Sequence, residues 1–208
     1  VPLSDETIGG FLGRLADRAP APGGASAAAL HVALGAALLG MVARYTTGEK
    51  YAEHQMAIGH IITEVDELRG IALRLAEADE DAFSAVARAY HLPKATDAEE
   101  SARCEAIARA VVQVAWPAAR VISVARIVVD LAEALAAIGN HNVIADVAAA
   151  AEAARAAAAS ARVSVEINLA GITDEQASLE MIADLGPVDE IIARAESLTA
   201  AVRDRIRA

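Results

Sequence analysis

Between Ala21 and Ala43 the chain carries no formal charge over 23 residues. A run of that length can span a bilayer. It is also what the centre of a helical bundle looks like, apolar on every side. Alanine and glycine dominate the run, and it contains Pro22, Ser26 and His31. It begins behind Asp17 and Arg18, too late and without the basic start of a signal peptide. A central buried helix is therefore expected, and no membrane partner. The remaining helices must pack closely round it, which needs small side chains. Alanine supplies them, at 54 of 208 residues, while aromatic residues make up 3%. Alanine is also the best helix former. The fold class expected is all-α: a single-domain bundle of long helices over residues 1–208, with no internal repeat.

Breaks in the helical pattern divide the chain. Thr7 or Asp5 caps a first helix that runs to about Arg18. The run Ala19 to Gly24 ends it, and a second helix follows from about Ser26 to Tyr45. A third runs from about Tyr51 to Tyr90 and stops at Leu92-Pro93. Thr96 or Asp97 caps a fourth, which Pro117 kinks or restarts on its way to Ile138. Gly139-Asn140 separates it from a fifth, expected to about Ala161. From Arg162 to Leu169 apolar and polar residues alternate, a strand period. A lone strand has no partner in such a chain, so helix is preferred there too. Asp174 caps a short helix, and Gly186-Pro187 introduces the last.

Net charge excludes one class of partner. At −11 the surface repels phosphate backbones, so no nucleic acid is expected. Cys104 is alone, which suits a reducing, cytoplasmic setting. The five histidines form no i,i+4 pair and no His-Glu-x-x-His, so no metal site is expected. His31 reads as a core residue, and Gly35 and Gly40 read as points where helices approach closely.

Burying a charge is costly, so a charge on an apolar stripe is informative. At 100° per residue, Asp79 falls within roughly 40° of Ile61, Leu68, Ala72, Leu75, Phe83, Val86 and Tyr90. Asp81 falls on the outer side with Arg74, Glu77 and Arg88. Asp79 is thus a core-face carboxylate and a candidate for acid/base chemistry. The same reasoning puts Asp146 opposite the charged face of the fifth helix. Asn142 stands one turn before it, where the two side chains can meet. Asn140 and Asn142 sit at that helix's start, where free N–H groups favour anions. Pro22-Gly23-Gly24-Ala25-Ser26 admits two readings. It is a turn with an N-cap Ser26, or a loop whose glycines let backbone N–H groups reach a ligand.

These residues lie in four segments that resemble the cyclodeaminase/cyclohydrolase family. The segments are Pro22 to Ser26 with Thr46 to Tyr51; Asp79-Glu80-Asp81-Ala82-Phe83 with Tyr90 to Lys94; Gly139 to Asp146; and Val165-Glu166-Ile167-Asn168-Leu169. The family includes the C-terminal domain of formiminotransferase-cyclodeaminase and stand-alone bacterial methenyltetrahydrofolate cyclohydrolases. The resemblance implies an all-α homodimer acting on a folate-type substrate without metal or redox cofactor. It also implies that Asp79 or Asp146 moves a proton, and that Gly23, Gly24, Ser26, Tyr90, Asn140 and Asn142 bind substrate. Lys50 and Lys94 are the only lysines in a chain otherwise basic through arginine. One of them is expected at a folate carboxylate. Two positions depart from the family, Ala25 for a glycine and Ala145 for a serine.

The resemblance implies two reactions. In cyclohydrolysis, water opens 5,10-methenyltetrahydrofolate to 10-formyltetrahydrofolate. In cyclodeamination, 5-formiminotetrahydrofolate closes and releases ammonia. With no formiminotransferase portion in this sequence, cyclohydrolase is the expectation. Cyclodeaminase, or a relative turned to another ring opening or closure, is the alternative. A non-enzymatic interaction protein is a third possibility, set against two carboxylates on core faces.

Overall fold

The computed structural model describes residues 2–207. Seven α-helices follow one another: α1 Ile8–Ala16, α2 Gly24–Tyr45, α3 Gln55–Tyr90, α4 Asp97–Ile138, α5 Ile144–Leu169, α6 Glu175–Leu185 and α7 Val188–Arg207. Short 3-10 turns at Leu3–Asp5, Glu49–His54 and His141–Val143 join them, and no strand is present among the described residues.

The uncharged run forms α2, which packs against α3, α4 and α5. By length and apolarity α2 meets the test for a bilayer span, yet 61% of its most apolar stretch is buried by its neighbours. Small residues make this possible. In α5, Ala150, Ala151, Ala154, Ala157, Ala158 and Ala161 are fully buried. Gly35 of α2 meets that face: a Cβ there would lie 3.1 Å from the Ala150 carbonyl oxygen and 3.2 Å from Val128 Cγ1 of α4. Three helices converge at this point, and a side chain would push them apart. Gly40 plays the same part towards α3, where a Cβ would lie 3.3 Å from Val65 Cγ2.

Caps lie where their side chains can serve. Thr7 accepts from the Gly10 N–H, Thr96 forms a capping box with Glu99, and Asp174 accepts from the Ala177 N–H. Several expectations need correction. Ser26 is no N-cap: α2 starts two residues earlier, behind Gly23, so Ser26 lies in its first turn. The third helix starts at Gln55, because Glu49–His54 winds as a 3-10 turn. Pro117 neither ends nor restarts α4, which is a single helix of 42 residues with Pro117 buried inside it. Long flanking turns hold it, and one missing N–H donor does not outweigh them. The alternating segment is helix to Leu169. Ala161 and Val165, one turn apart, face the core, while Val163 and Ile167 point outwards.

Candidate active site

The buried stripe of α3 runs through Ile61, Val65, Leu68, Ala72, Leu75 and Ala76 and reaches Asp79, which is 7% exposed. Beyond it the stripe opens. Phe83 and Tyr90 were expected on the core face, yet they are 43% and 55% exposed. The reason is tertiary. Asp79 lies level with the first turn of α2, so the last turns of α3 run on past the end of that helix.

Asp79 is held by α2. Ser26 is fully buried, and its hydroxyl donates to Asp79 Oδ2 at 2.6 Å. Burial pushes the Asp79 carboxyl above the ordinary value of 3.8, and the nearby Glu80 charge pushes the same way. Hydrogen bonds from the Ser26 hydroxyl and backbone N–H act against them. The net shift is upward, so burial favours the protonated carboxyl.

Asp79 lines a cavity of about 160 Å³. Gly23, Gly24 and Ala25 at the start of α2 form one wall, with Pro20 and Ala21 before them. Phe83 of α3, Val114 of α4, and Ser164, Ile167 and Asn168 of α5 complete it. A Cβ on Gly23 or Gly24 would meet nothing within 4 Å, so the missing side chains leave open space. The free N–H groups of the α2 start add a preference for negative charge. Ser164 bonds back to the Ser160 carbonyl at 3.3 Å. The half-buried Asn168 makes no side-chain hydrogen bond with the described residues. Its amide can donate and accept towards a guest. Neither Asn168 nor Phe83 was singled out as a site residue from the sequence. Their segments did carry the family resemblance, but only the packing of α3 and α5 against α2 and α4 brings them to one cavity with Asp79.

The second polar cluster lies elsewhere. Buried Thr46, just past α2, donates to the Val42 carbonyl at 2.8 Å and accepts from the Asn140 N–H at 3.0 Å. The Asn140 amide donates to the Tyr45 carbonyl at 2.8 Å, and its oxygen accepts from the Asn142 N–H at 3.1 Å. Asn140 therefore ties the α4–α5 connection to the end of α2. Asn142 is exposed, and Asp146 is only half-buried in the first turn of α5, not on the core face as expected. No Asn142–Asp146 hydrogen bond forms among the described residues. Twenty helical residues separate Ser26 from Thr46, about 30 Å at 1.5 Å per residue. One chain therefore does not bring Asp146, Asn140 or Asn142 to Asp79.

The remaining candidates are also apart from the cavity. Lys50 lies at the Thr46 end, its ammonium 4.6 Å from the Tyr51 ring centre. Tyr90 is eleven residues along α3 from Asp79, about 17 Å, and carries Arg103 over its ring at 5.6 Å. Lys94 is exposed in the turn beyond it.

A bundle end with a buried carboxyl beside a glycine wall is a candidate small-molecule site. Residues 7–185 match the formiminotransferase-cyclodeaminase family model, and the chain belongs to that family. It is 36% identical over 204 residues to a methenyltetrahydrofolate cyclohydrolase of Methylorubrum extorquens, covering 98% of this chain and 97% of that protein. It is 34% identical over 175 residues to the mouse formimidoyltransferase-cyclodeaminase, covering 83% of this chain but only 32% of the mouse protein. Among solved structures it resembles a formiminotetrahydrofolate cyclodeaminase from Thermotoga maritima. The TM-score is 0.81 and the identity 29%, over 97% of this chain and 96% of the other.

Proposed function

We propose that this protein is a methenyltetrahydrofolate cyclohydrolase. The observation that carries the reading is similarity over 98% of this chain to a protein of that name, supported by a buried carboxyl that lines the cavity. In the reaction, water attacks the methenyl carbon between N5 and N10 and passes a proton to the Asp79 carboxylate. The neutral tetrahedral adduct then breaks its C–N5 bond. Asp79 returns the proton to N5, and the adduct hydroxyl releases its own to solvent, leaving the formyl group on N10. Water and a carboxyl suffice for these steps, so no cofactor enters the proposal. Asn168 offers its amide to the pterin, and Phe83 and Ile167 flank the cavity mouth with apolar surface. A cavity of about 160 Å³ takes a ring system rather than the whole folate. The glutamate end therefore lies outside it, where Lys94 or the partner subunit's Lys50 provides a cation.

We also propose a homodimer through α2. Leu30, Leu34, Leu38, Met41 and Tyr45 recur at helical spacing on its outer side, and Leu34 is 58% exposed. The exposed Ile8 and Leu12 of α1 flank them across an apolar groove of about 440 Å³. In this proposal the two-fold axis runs perpendicular to α2, which pairs the helix antiparallel with its copy. The Ser26 end of one helix then lies beside the Thr46 end of the other. Asn142 and Asp146 gain a route to the Asp79 cavity that one chain lacks.

Cyclodeamination is the second reading, favoured by the structural likeness to the Thermotoga protein. The deciding experiment follows the near-ultraviolet absorbance of 5,10-methenyltetrahydrofolate with purified protein. Loss faster than in buffer supports the cyclohydrolase. No acceleration, with ammonia released from 5-formiminotetrahydrofolate, transfers the assignment to the cyclodeaminase.

A further inference from the structure

We propose that Ser26 is a positioning residue whose hydroxyl turns between two acceptors, so that Asp79 stays hydrogen-bonded in both of its protonation states. This rests on the reading of Asp79 as proton carrier. Ser26 Oγ lies 2.6 Å from Asp79 Oδ2 and 3.5 Å from the Ala76 carbonyl oxygen. A hydroxyl has one proton to donate and two lone pairs that accept, and a helix carbonyl has a lone pair to spare. When Asp79 is ionised, the Ser26 O–H donates to Oδ2. When Asp79 is protonated, its O–H donates to Ser26 Oγ, and the serine proton turns to the Ala76 carbonyl. The Ala76 carbonyl, 3.5 Å away, is at long range for an O–H···O bond, so a small shift of the serine side chain completes the turn. Both residues are buried, so losing the hydroxyl would leave the carboxyl short of a partner in either state. A carboxyl that accepts a proton from water and returns it to nitrogen passes through both states in each turnover.

The surroundings make Ser26 the dominant polar neighbour. On α3 the adjacent Glu80 is charged and paired with Arg14 of α1 at 2.7 Å. On α2 no formally charged side chain precedes Arg44. The cavity walls from α4 and α5, Val114, Ser164, Ile167 and Asn168, are uncharged.

The test is Ser26→Ala in the full chain, which shortens one side chain to a good helix former. Asp79 is titrated by NMR of ¹³C-labelled aspartate carboxyls, its signal assigned by its absence in Asp79→Asn. In wild type it should titrate above the ordinary aspartate range, and higher still in Ser26→Ala. Urea midpoints, measured on both sides of that titration, should fall in Ser26→Ala at each pH. The acidic limb of the kcat profile should move up with the titration, and kcat should drop roughly tenfold, the worth of one hydrogen bond. Urea midpoints unchanged in Ser26→Ala on both sides of the titration overturn the proposal. A stability loss confined to the ionised side overturns the turning hydroxyl. If wild type leaves methenyltetrahydrofolate untouched, the cyclohydrolase reading fails, and the titration and urea measurements still decide the role of Ser26.

Discussion

Asp79→Asn separates the proton of Asp79 from its shape. The amide keeps an oxygen for the Ser26 hydroxyl, now 2.6 Å away, so the geometry of the α2–α3 contact survives. What disappears is the capacity to carry a proton. General acid–base catalysis contributes about 10²- to 10⁴-fold, so kcat should fall by that factor, about 3–5 kcal/mol of barrier, with KM changed little. Stability should move the other way at neutral pH. The folded-state value of Asp79 is raised above its ordinary 3.8, first by burial, so folding favours the protonated form. Its stabilising share is complete below the unfolded value and is lost as pH rises through the folded one. At neutral pH the buried Asp79 is therefore a burden that asparagine lacks, growing with the upward shift at about 1.4 kcal/mol per unit. Urea unfolding at pH 7 should show a higher midpoint for Asp79→Asn, and the gain should vanish on acidification below the aspartate range. A variant that is fully active, or less stable than wild type at pH 7, would refute the assignment of Asp79 as a buried proton carrier.

Four further outcomes are expected. Asn168→Ala should raise KM about tenfold through one lost hydrogen bond while kcat holds, and an unchanged KM removes Asn168 from the binding surface. Leu34→Asp should convert a dimer into a monomer by light scattering, with helicity retained and activity reduced; a monomeric wild type ends the α2 interface proposal. Gly139→Ala drives a Cβ into the Leu135 carbonyl and should cost about 1–3 kcal/mol, read as a lower melting temperature. Gly24→Ala, whose Cβ would meet open space, should keep or raise the melting temperature while the added methyl slows turnover; equal activity would place the guest away from the α2 start.

Much of this protein was legible in its sequence because helices announce themselves locally. Caps at Thr7, Thr96 and Asp174, breaks at Pro93 and Gly139, and an uncharged run too apolar to face water depend on neighbours within a turn or two. So does Asp79: a carboxylate on an apolar stripe is visible by arithmetic at 100° per residue. The same arithmetic misplaced Phe83 and Tyr90, because it does not know where the helix packed alongside ends. It also misplaced Asp146, whose helix leaves that side half-open near its first turn. Local sequence therefore determined the helices, the central place of α2 and the candidate carboxyl. Tertiary structure decided which residues surround that carboxyl. It joined Gly24, Phe83 and Asn168 from three helices around one cavity, with Ser26 buried behind Asp79. It also carried Asn140 and Asp146 about 30 Å away to the other end of α2. The physical reason is range: capping and periodicity act over a few residues, whereas a cavity is made by chain segments distant in sequence, and only packing sets their relative heights.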